Sequence, residues 1–189
     1  FIVCNLLLLD NKPFGDDYIF IFGETEIKNA PNPFLFFFPW SDYFKSWSLT
    51  YFIFWNMYKV FGINFVYYRA VNLALHFLNF FILSKITRNN SKKKNIARIM
   101  ALCFLFAPIS ILTTTWIFQL KTLLAVFFIL IFLYSLQGVK NYNLKDFTKL
   151  YVYFVLSLLS KISGVLIPLY LFFILRTKCS IKNSFIFVI

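Results

Sequence analysis

The stretch that decides the fold is YYRAVNLALHFLNFFILSKI at residues 67–86, which the basic run TRNNSKKK at residues 87–94 follows directly. A helix needs about 20 mostly apolar residues to cross the hydrocarbon core of a bilayer. Lys and Arg that gather at the end of such a run are typical of the cytoplasmic side of a membrane. The pattern therefore predicts a span at 66–86 that ends in the cytoplasm.

The same alternation of apolar runs and basic ends recurs along the chain, which is 60% hydrophobic and 23% aromatic. An ordinary soluble domain is far less apolar than this. We therefore predict an all-α polytopic transmembrane helix bundle, in which 1–189 forms the N-terminal part of one multi-pass membrane domain with an outer loop at 10–65 that carries interfacial helices. The other predicted spans are 97–114, 116–136, a hairpin of 150–160 and 163–175, and two truncated spans at 1–9 and 184–189.

The formal net charge of +12 has three general explanations: nucleic acid, an acidic substrate or a membrane surface. The basic residues cluster at the ends of apolar runs, whereas nucleic-acid binders carry them on a continuous solvated face with exposed aromatic rings. This distribution excludes nucleic acid as a partner. It predicts an integral membrane protein of the bacterial inner membrane or the endoplasmic reticulum, surrounded by membrane lipids, with its first loop on the outer or lumenal side.

Acidic residues are concentrated in that first loop, which together with its aromatic continuation holds six of the seven acids of the chain. Asp16 and Asp17 are adjacent and lie between Phe14 and Tyr18. A carboxylate in such a low-dielectric setting at the membrane surface is a candidate general base. The alternative is that these acids solvate a loop or avoid the cytoplasmic side.

Several polar side chains fall inside the predicted spans, where charges are costly and usually face a protein interior or a water-filled cavity. Arg69, Asn72, His76 and Asn79 are spaced by three, four and three residues, which places them on one face of a helix. That face is a candidate binding surface for an anionic headgroup. Hydrogen bonds between helices are the alternative, and they are favoured for the two Asn residues.

Three further polar side chains lie close to the predicted outer ends of spans. Gln119 and Lys121 begin the 116–136 span, and Lys161 lies at the turn of the predicted hairpin. Together they are candidates for neutralising a phosphate group. For each lysine the alternative is that its ammonium extends to the membrane surface along an apolar stem.

Metal-binding patterns are absent from the sequence. His76 is the one histidine, with no second ligand nearby, and Cys4, Cys103 and Cys179 lie far apart with no CxxC pair. We therefore predict no metal site, no disulfide framework and no cofactor, although a divalent metal is left open.

Taken in order, several short motifs resemble the N-terminal half of GT-C membrane glycosyltransferases, and within them the O-mannosyltransferase-like branch that includes tetratricopeptide-containing transmembrane proteins. The likeness covers most of the chain. The matching pieces are the Asp16–Asp17 pair, the aromatic stretch after it, FGIN at 61–64, Tyr68, Asn72, HFLN at 76–79, TWIFQ at 115–119, LLSK at 158–161 and Pro168.

The resemblance implies transfer of a sugar from a polyprenyl-phosphate donor to a hydroxyl of a protein or lipid acceptor on the outer face, with inversion at the anomeric carbon. It implies that Asp16 deprotonates the acceptor while Asp17 or Glu24 orients it. It further implies that cations stabilise the charge on the departing lipid phosphate, with Lys161 foremost and then Lys121, Arg69 and His76.

Two other functions stay open at this point. A transporter or lipid flippase would use the same cations to bind a substrate during alternating access, although no inverted repeat is visible. An inactive scaffold with the same fold would suit the departures from the family pattern, where Leu120 replaces an Arg and Ile162 replaces an acid.

Overall fold

The computed structural model describes most of the chain and leaves out both its ends. Every secondary-structure element in the described part is a helix, so the predicted all-α class is confirmed there. The predicted spans at 1–9, except Leu8, and at 184–189 lie outside the described residues, as does the hairpin arm at 163–175 beyond residue 168. Those residues are 26–90, 93–138 and 144–168, together with Leu8, Lys12, Pro13, Gly15 and Asp17.

Seven α-helices follow one another in the described part of the chain, and three short 3-10 turns lie between them. The α-helices are α1 Glu26–Asn29, α2 Ser48–Phe61, α3 Phe65–Asn90, α4 Lys94–Phe106, α5 Pro108–Thr115, α6 Leu120–Gly138 and α7 Leu144–Ser160. The 3-10 turns are Pro33–Phe37, Ile117–Gln119 and Ile162–Val165.

Two helical stretches in the described part are long and apolar enough to cross a membrane. They are Phe65–Asn90, with a mean hydropathy of 1.4, and Ile117–Gly138, with a mean hydropathy of 2.2. A third candidate is the pair α4 and α5. Taken together these helices are long and apolar enough for one span, but they are bent by 47° at their junction. The structure thus supports a membrane protein with two or three candidate spans among its described residues.

The bend between α4 and α5 lies at Pro108, inside the stretch predicted as a span at 97–114. Proline has no backbone N–H, so it cannot donate to the carbonyl of Phe104 four residues earlier. The hydroxyl of Ser110 donates to that carbonyl instead, at 2.9 Å. The carbonyl of Phe104 therefore keeps a hydrogen-bond partner at the bend, and that partner is a side chain two residues after the proline.

The central helix of the bundle is α3, which packs against α4 on one side and α6 on another, while α7 packs against α6. The predicted interfacial region is closely attached to this bundle. Tyr51 and Phe54 of α2 are buried in one hydrophobic cluster with Tyr68 of α3 and Phe118. Two tryptophans of this region differ in burial, because Trp40 is 82% exposed whereas Trp47 packs against the cluster.

The end of α7 determines where Lys161 lies. This helix starts at Leu144, six residues before the predicted arm at 150–160, so residues 144–149 are helical and do not form a loop between predicted spans. It ends at Ser160, and the chain then folds back on α7, since a Cβ placed on Gly164 would lie 2.8 Å from the backbone N of Leu158. Lys161 occupies the break, in an extended conformation.

Candidate functional site

The site is built around a second helix break, between α5 and α6. The last residue of α5 is Thr115, Trp116 is extended, and a 3-10 turn at Ile117–Gln119 leads into α6. A break leaves carbonyls unbonded at the end of one helix and N–H groups unbonded at the start of the next. Inside a membrane protein these groups need polar partners from elsewhere in the chain.

Arg69 of α3 binds a carbonyl at the end of α5, on one side of the break. Its Nε donates to the carbonyl of Thr115 at 2.8 Å, and its Nη2 donates to the carbonyl of Lys12 at 3.1 Å. The side chain is 1% exposed. A cation at a helix C-terminus is favoured by the helix dipole, so the guanidinium stabilises the end of α5 and ties the first loop to it.

Asp17 binds a backbone N–H on the other side of the break, in the turn that leads into α6. Its Oδ1 accepts a hydrogen bond from the backbone N of Phe118 at 2.7 Å, and the residue is fully buried. A carboxylate at a helix N-terminus is favoured by the dipole in the same way as a cation at the C-terminus. The acidic loop is thus anchored in the bundle through one of its two adjacent carboxylates.

Two asparagines on the same face of α3 complete the attachment. Asn72 Nδ2 donates to the carbonyls of Trp116 at 3.1 Å and Ile117 at 3.3 Å, and Asn79 Nδ2 donates to the carbonyl of Leu123 at 3.0 Å. Side-chain amides commonly join helices in this way in membranes. The structure thus shows both asparagines in hydrogen bonds between elements.

Lys121 lies just after the break, with its ammonium over two aromatic rings. Its Nζ is 3.9 Å from the ring centroid of Phe118 and 4.1 Å from that of Trp47. The negative face of an aromatic ring attracts a cation, most strongly where water is excluded. Lys121 is only 9% exposed, so its charge is held inside the bundle.

Lys161 reaches the same turn of α6 from the other helix break. Its Nζ donates to the hydroxyl of Thr122 at 2.9 Å, and this hydroxyl donates to Oε1 of Gln119 at 2.6 Å. A hydrogen bond of 3.0 Å from the Thr50 hydroxyl to the carbonyl of Ser160 fixes the end of α7 against α2. The partly exposed ammonium of Lys161 is therefore aimed at the start of α6.

His76 lies further along α3 and faces α4. Its Nε2 is 3.4 Å from the carbonyl of Leu105, and its ring stacks on Phe104 with centroids 5.0 Å apart. These contacts place it in the packing between α3 and α4. They do not place it in contact with the α5–α6 break.

Four of the predicted site residues thus meet around residues 115–122, namely Asp17, Arg69, Lys121 and Lys161. Asp16 and Glu24 lie outside the described residues. Two partners in this site, Thr122 and Trp47, are not among the predicted site residues. Thr122 follows Gln119 by three residues, a spacing that places both on one helical face, which is the signal that was available.

Within the described part of the chain, no group of three or more His, Cys, Asp or Glu side chains is close enough to hold a metal ion. The charged groups at this site are therefore one buried carboxylate and three cations around the helix break. The carboxylate is that of Asp17, and the cations are Arg69, Lys121 and Lys161. Among these cations, Lys161 is bound to a neutral hydroxyl and is partly exposed. Comparison of the chain with family models, with curated proteins and with solved structures finds no match.

Proposed function

We propose that this protein is a membrane glycosyltransferase of GT-C type, which moves a sugar from a polyprenyl-phosphate donor to an acceptor hydroxyl at the outer face. One observation carries the proposal. The Asp17 carboxylate contacts Phe118 and the Lys161 ammonium contacts Thr122, one helical turn apart at the start of α6. The two contacted residues, Phe118 and Thr122, are about 6 Å apart along the axis of a candidate span, so an acid and a cation are bound to neighbouring turns of it.

In this proposal the cations have different roles according to their contacts. Lys161 binds the donor phosphate directly, because the one hydrogen bond of its ammonium in the described structure is to a neutral hydroxyl that an anion can replace. Lys121 and Arg69 act at a distance, because aromatic rings hold the first and backbone carbonyls hold the second. His76 supports the packing of α3 on α4 instead of binding the phosphate.

The carboxylates divide their roles in a similar way. Asp17 orients the loop through Phe118, which leaves the adjacent Asp16 as the general base for the acceptor hydroxyl. Glu24 helps to position the acceptor in the same loop. Fixed cations around a departing phosphate stabilise developing charge without reorganisation, and losing one such group costs roughly 100-fold to 1,000-fold in rate.

A second candidate function is an inactive scaffold that keeps this fold. The observation in its favour is that Asp17 and Arg69 each occupy the helix end that the dipole prefers, with hydrogen bonds at 2.7 Å and 2.8 Å. Both residues are accounted for by stability alone. Under this alternative the break is a structural joint, and a change at Lys161 alters no reaction.

The test measures sugar transfer by the full-length protein in nanodiscs, with polyprenyl-phosphate mannose as donor and a hydroxyl acceptor. We expect Lys161→Met to lower the rate by roughly 100-fold, because the phosphate loses its cation. Lys161→Arg keeps the charge and should retain part of the rate. The matched control is Lys149→Met, at an exposed lysine on α7, the helix that ends just before Lys161.

Folding of each variant is checked by size exclusion and by helical circular dichroism. Asp16→Asn is measured beside them, and we expect it to abolish transfer. Transfer that is unaffected by both Lys161→Met and Asp16→Asn would contradict the proposal. Lipid scrambling or solute uptake by vesicles, with no sugar transfer under any condition, would support the transporter instead.

A further inference from the structure

A cavity with a strongly basic lining lies at the other end of α3, between its last turns and the first turns of α4. Its volume is about 450 Å³. Four cationic side chains and no acidic ones are among its described lining residues, and the cations are Lys85, Arg88, Lys94 and Arg98. Arg69 and Arg88 are about 28 Å apart along α3 at about 1.5 Å per residue, so this cavity is separate from the site around the α5–α6 break.

The sequence brings these cations together by helical spacing. Lys85 and Arg88 are three residues apart on α3, and Lys94 and Arg98 are four residues apart on α4, so each pair lies on one face of its helix. Like charges at these spacings repel each other and destabilise a helix. An anion in the cavity would remove that cost for both helices at once.

Small residues hold the two helices together beside the cavity. Ala97 and Ala101 of α4 are both 2% exposed, and such residues let helix backbones approach closely. The Thr87 hydroxyl lies 3.4 Å from the carbonyl of Ala97 and links the helices at the same level. The four cations are therefore presented by a fixed pair of helices.

The start of α4 adds a further preference for an anion. This helix begins at Lys94, and the side chain of Lys93 at the N-cap position makes no capping hydrogen bond. The first N–H groups of a helix carry a partial positive charge and bind anions readily. Because Lys94 lines the cavity, this helix end and the four cations act on the same space.

The side of the cavity away from the four cations is apolar and continues onto the outside of the bundle. Phe81 of α3 and Leu102 of α4 line it and are 57% and 44% exposed, respectively. Helix α3 alone, and α4 together with α5, are long and apolar enough to cross a membrane, so exposed apolar side chains on them face acyl chains. The cavity thus combines a basic end with an apolar side.

We propose that this cavity binds the headgroup of an anionic phospholipid, with the acyl chains lying along Phe81 and Leu102. Basic pockets between membrane helices are suited to anionic headgroups. The phosphate and any second anionic group contact the four cations, and the cavity volume lies within the range of small-ligand sites. A free phosphate would gain the charge interactions but not the apolar ones.

The test compares two double variants of the full-length protein that lose the same charge. Lys85→Gln with Lys94→Gln removes two exposed lysines from the cavity, and Lys145→Gln with Lys149→Gln removes two exposed lysines from α7. The affinity for phosphatidylglycerol is measured by titration in detergent with native mass spectrometry. We expect the cavity variant to bind roughly 30-fold more weakly and the α7 variant to bind nearly as well as the unmodified protein.

Two further arms identify the source of the anion. Phosphatidylcholine, which has acyl chains but no net charge, should bind far more weakly than phosphatidylglycerol. Inorganic phosphate and glycerol phosphate should not displace the bound lipid. Equal weakening by both double variants, equal binding of phosphatidylcholine, or displacement by inorganic phosphate would each overturn the proposal.

Discussion

The buried Asp17 provides the sharpest test of how the first loop is attached. Asp17→Ala removes a charged acceptor from the N–H of Phe118, which lies at 2.7 Å, and leaves that N–H without this partner inside the protein. Losing a charge-assisted hydrogen bond of this kind costs about 2–4 kcal/mol. For a chain of this size that corresponds to a fall in the midpoint of thermal unfolding of roughly 5–15 °C.

Asp17→Asn separates charge from hydrogen bonding at the same position. The amide still offers an oxygen to the N–H of Phe118, but the interaction of a negative charge with the helix N-terminus is lost. That interaction contributes about 1 kcal/mol, so we expect a fall of roughly 2–4 °C. The matched control is Asp42→Asn, at an exposed acid near α2, for which we expect no change.

The assay is thermal unfolding of the purified full-length protein in detergent, followed by tryptophan fluorescence and by helical circular dichroism. The expected order of midpoints is Asp42→Asn equal to the unmodified protein, then Asp17→Asn, then Asp17→Ala. If both Asp17 variants unfold at the temperature of the unmodified protein, the carboxylate does not stabilise the break. The account of Asp17 as an anchor is then refuted.

Three further substitutions test other contacts. Gly164→Ala places a methyl group 2.8 Å from the backbone N of Leu158 and should lower the unfolding free energy by about 1–3 kcal/mol. The control is Gly138→Ala, whose methyl group would meet nothing within 4 Å, so its cost should be far smaller. Arg69→Met should sharply reduce the folded fraction on size exclusion, and Arg69→Lys should restore little, because a point charge cannot replace the guanidinium fork at two carbonyls. Thr122→Val keeps the side-chain shape and removes the hydroxyl that holds the Lys161 ammonium at the start of α6 before the donor binds. We therefore expect sugar transfer to fall roughly fivefold to tenfold, with a smaller effect on the unfolding midpoint than Asp17→Ala has.

The helical class and the polar face of α3 could be predicted because both depend on local information. An apolar run of helix length followed by Lys and Arg predicts a candidate span from its own residues. The spacing of Arg69, Asn72 and Asn79 places them on one face, and the structure buries all three there. In both cases hydrophobicity and helical period are sufficient.

The contacts that assemble the site could not be predicted in this way. Asp17 and Phe118 are 101 residues apart, and Lys161 and Thr122 are 39 apart, so only the packing of the bundle decides that they meet. The start of α7 at Leu144, six residues before the predicted start at 150, differs from the prediction for a reason that lies in the neighbouring residues. Its charged residues at 145–149 resemble a loop, although a helix whose end lies in water carries such residues equally well.

The separation of Asp17 from Phe118 also has a consequence for biosynthesis. At about 5–20 residues per second, roughly 5–20 s pass between the synthesis of the carboxylate and that of the backbone N–H that it will contact. A carboxylate without its partner is costly to bury, so the first loop must stay hydrated during that interval. The loop therefore closes onto the bundle only after the segment around Phe118 has left the ribosome, which makes its docking a late step of membrane assembly.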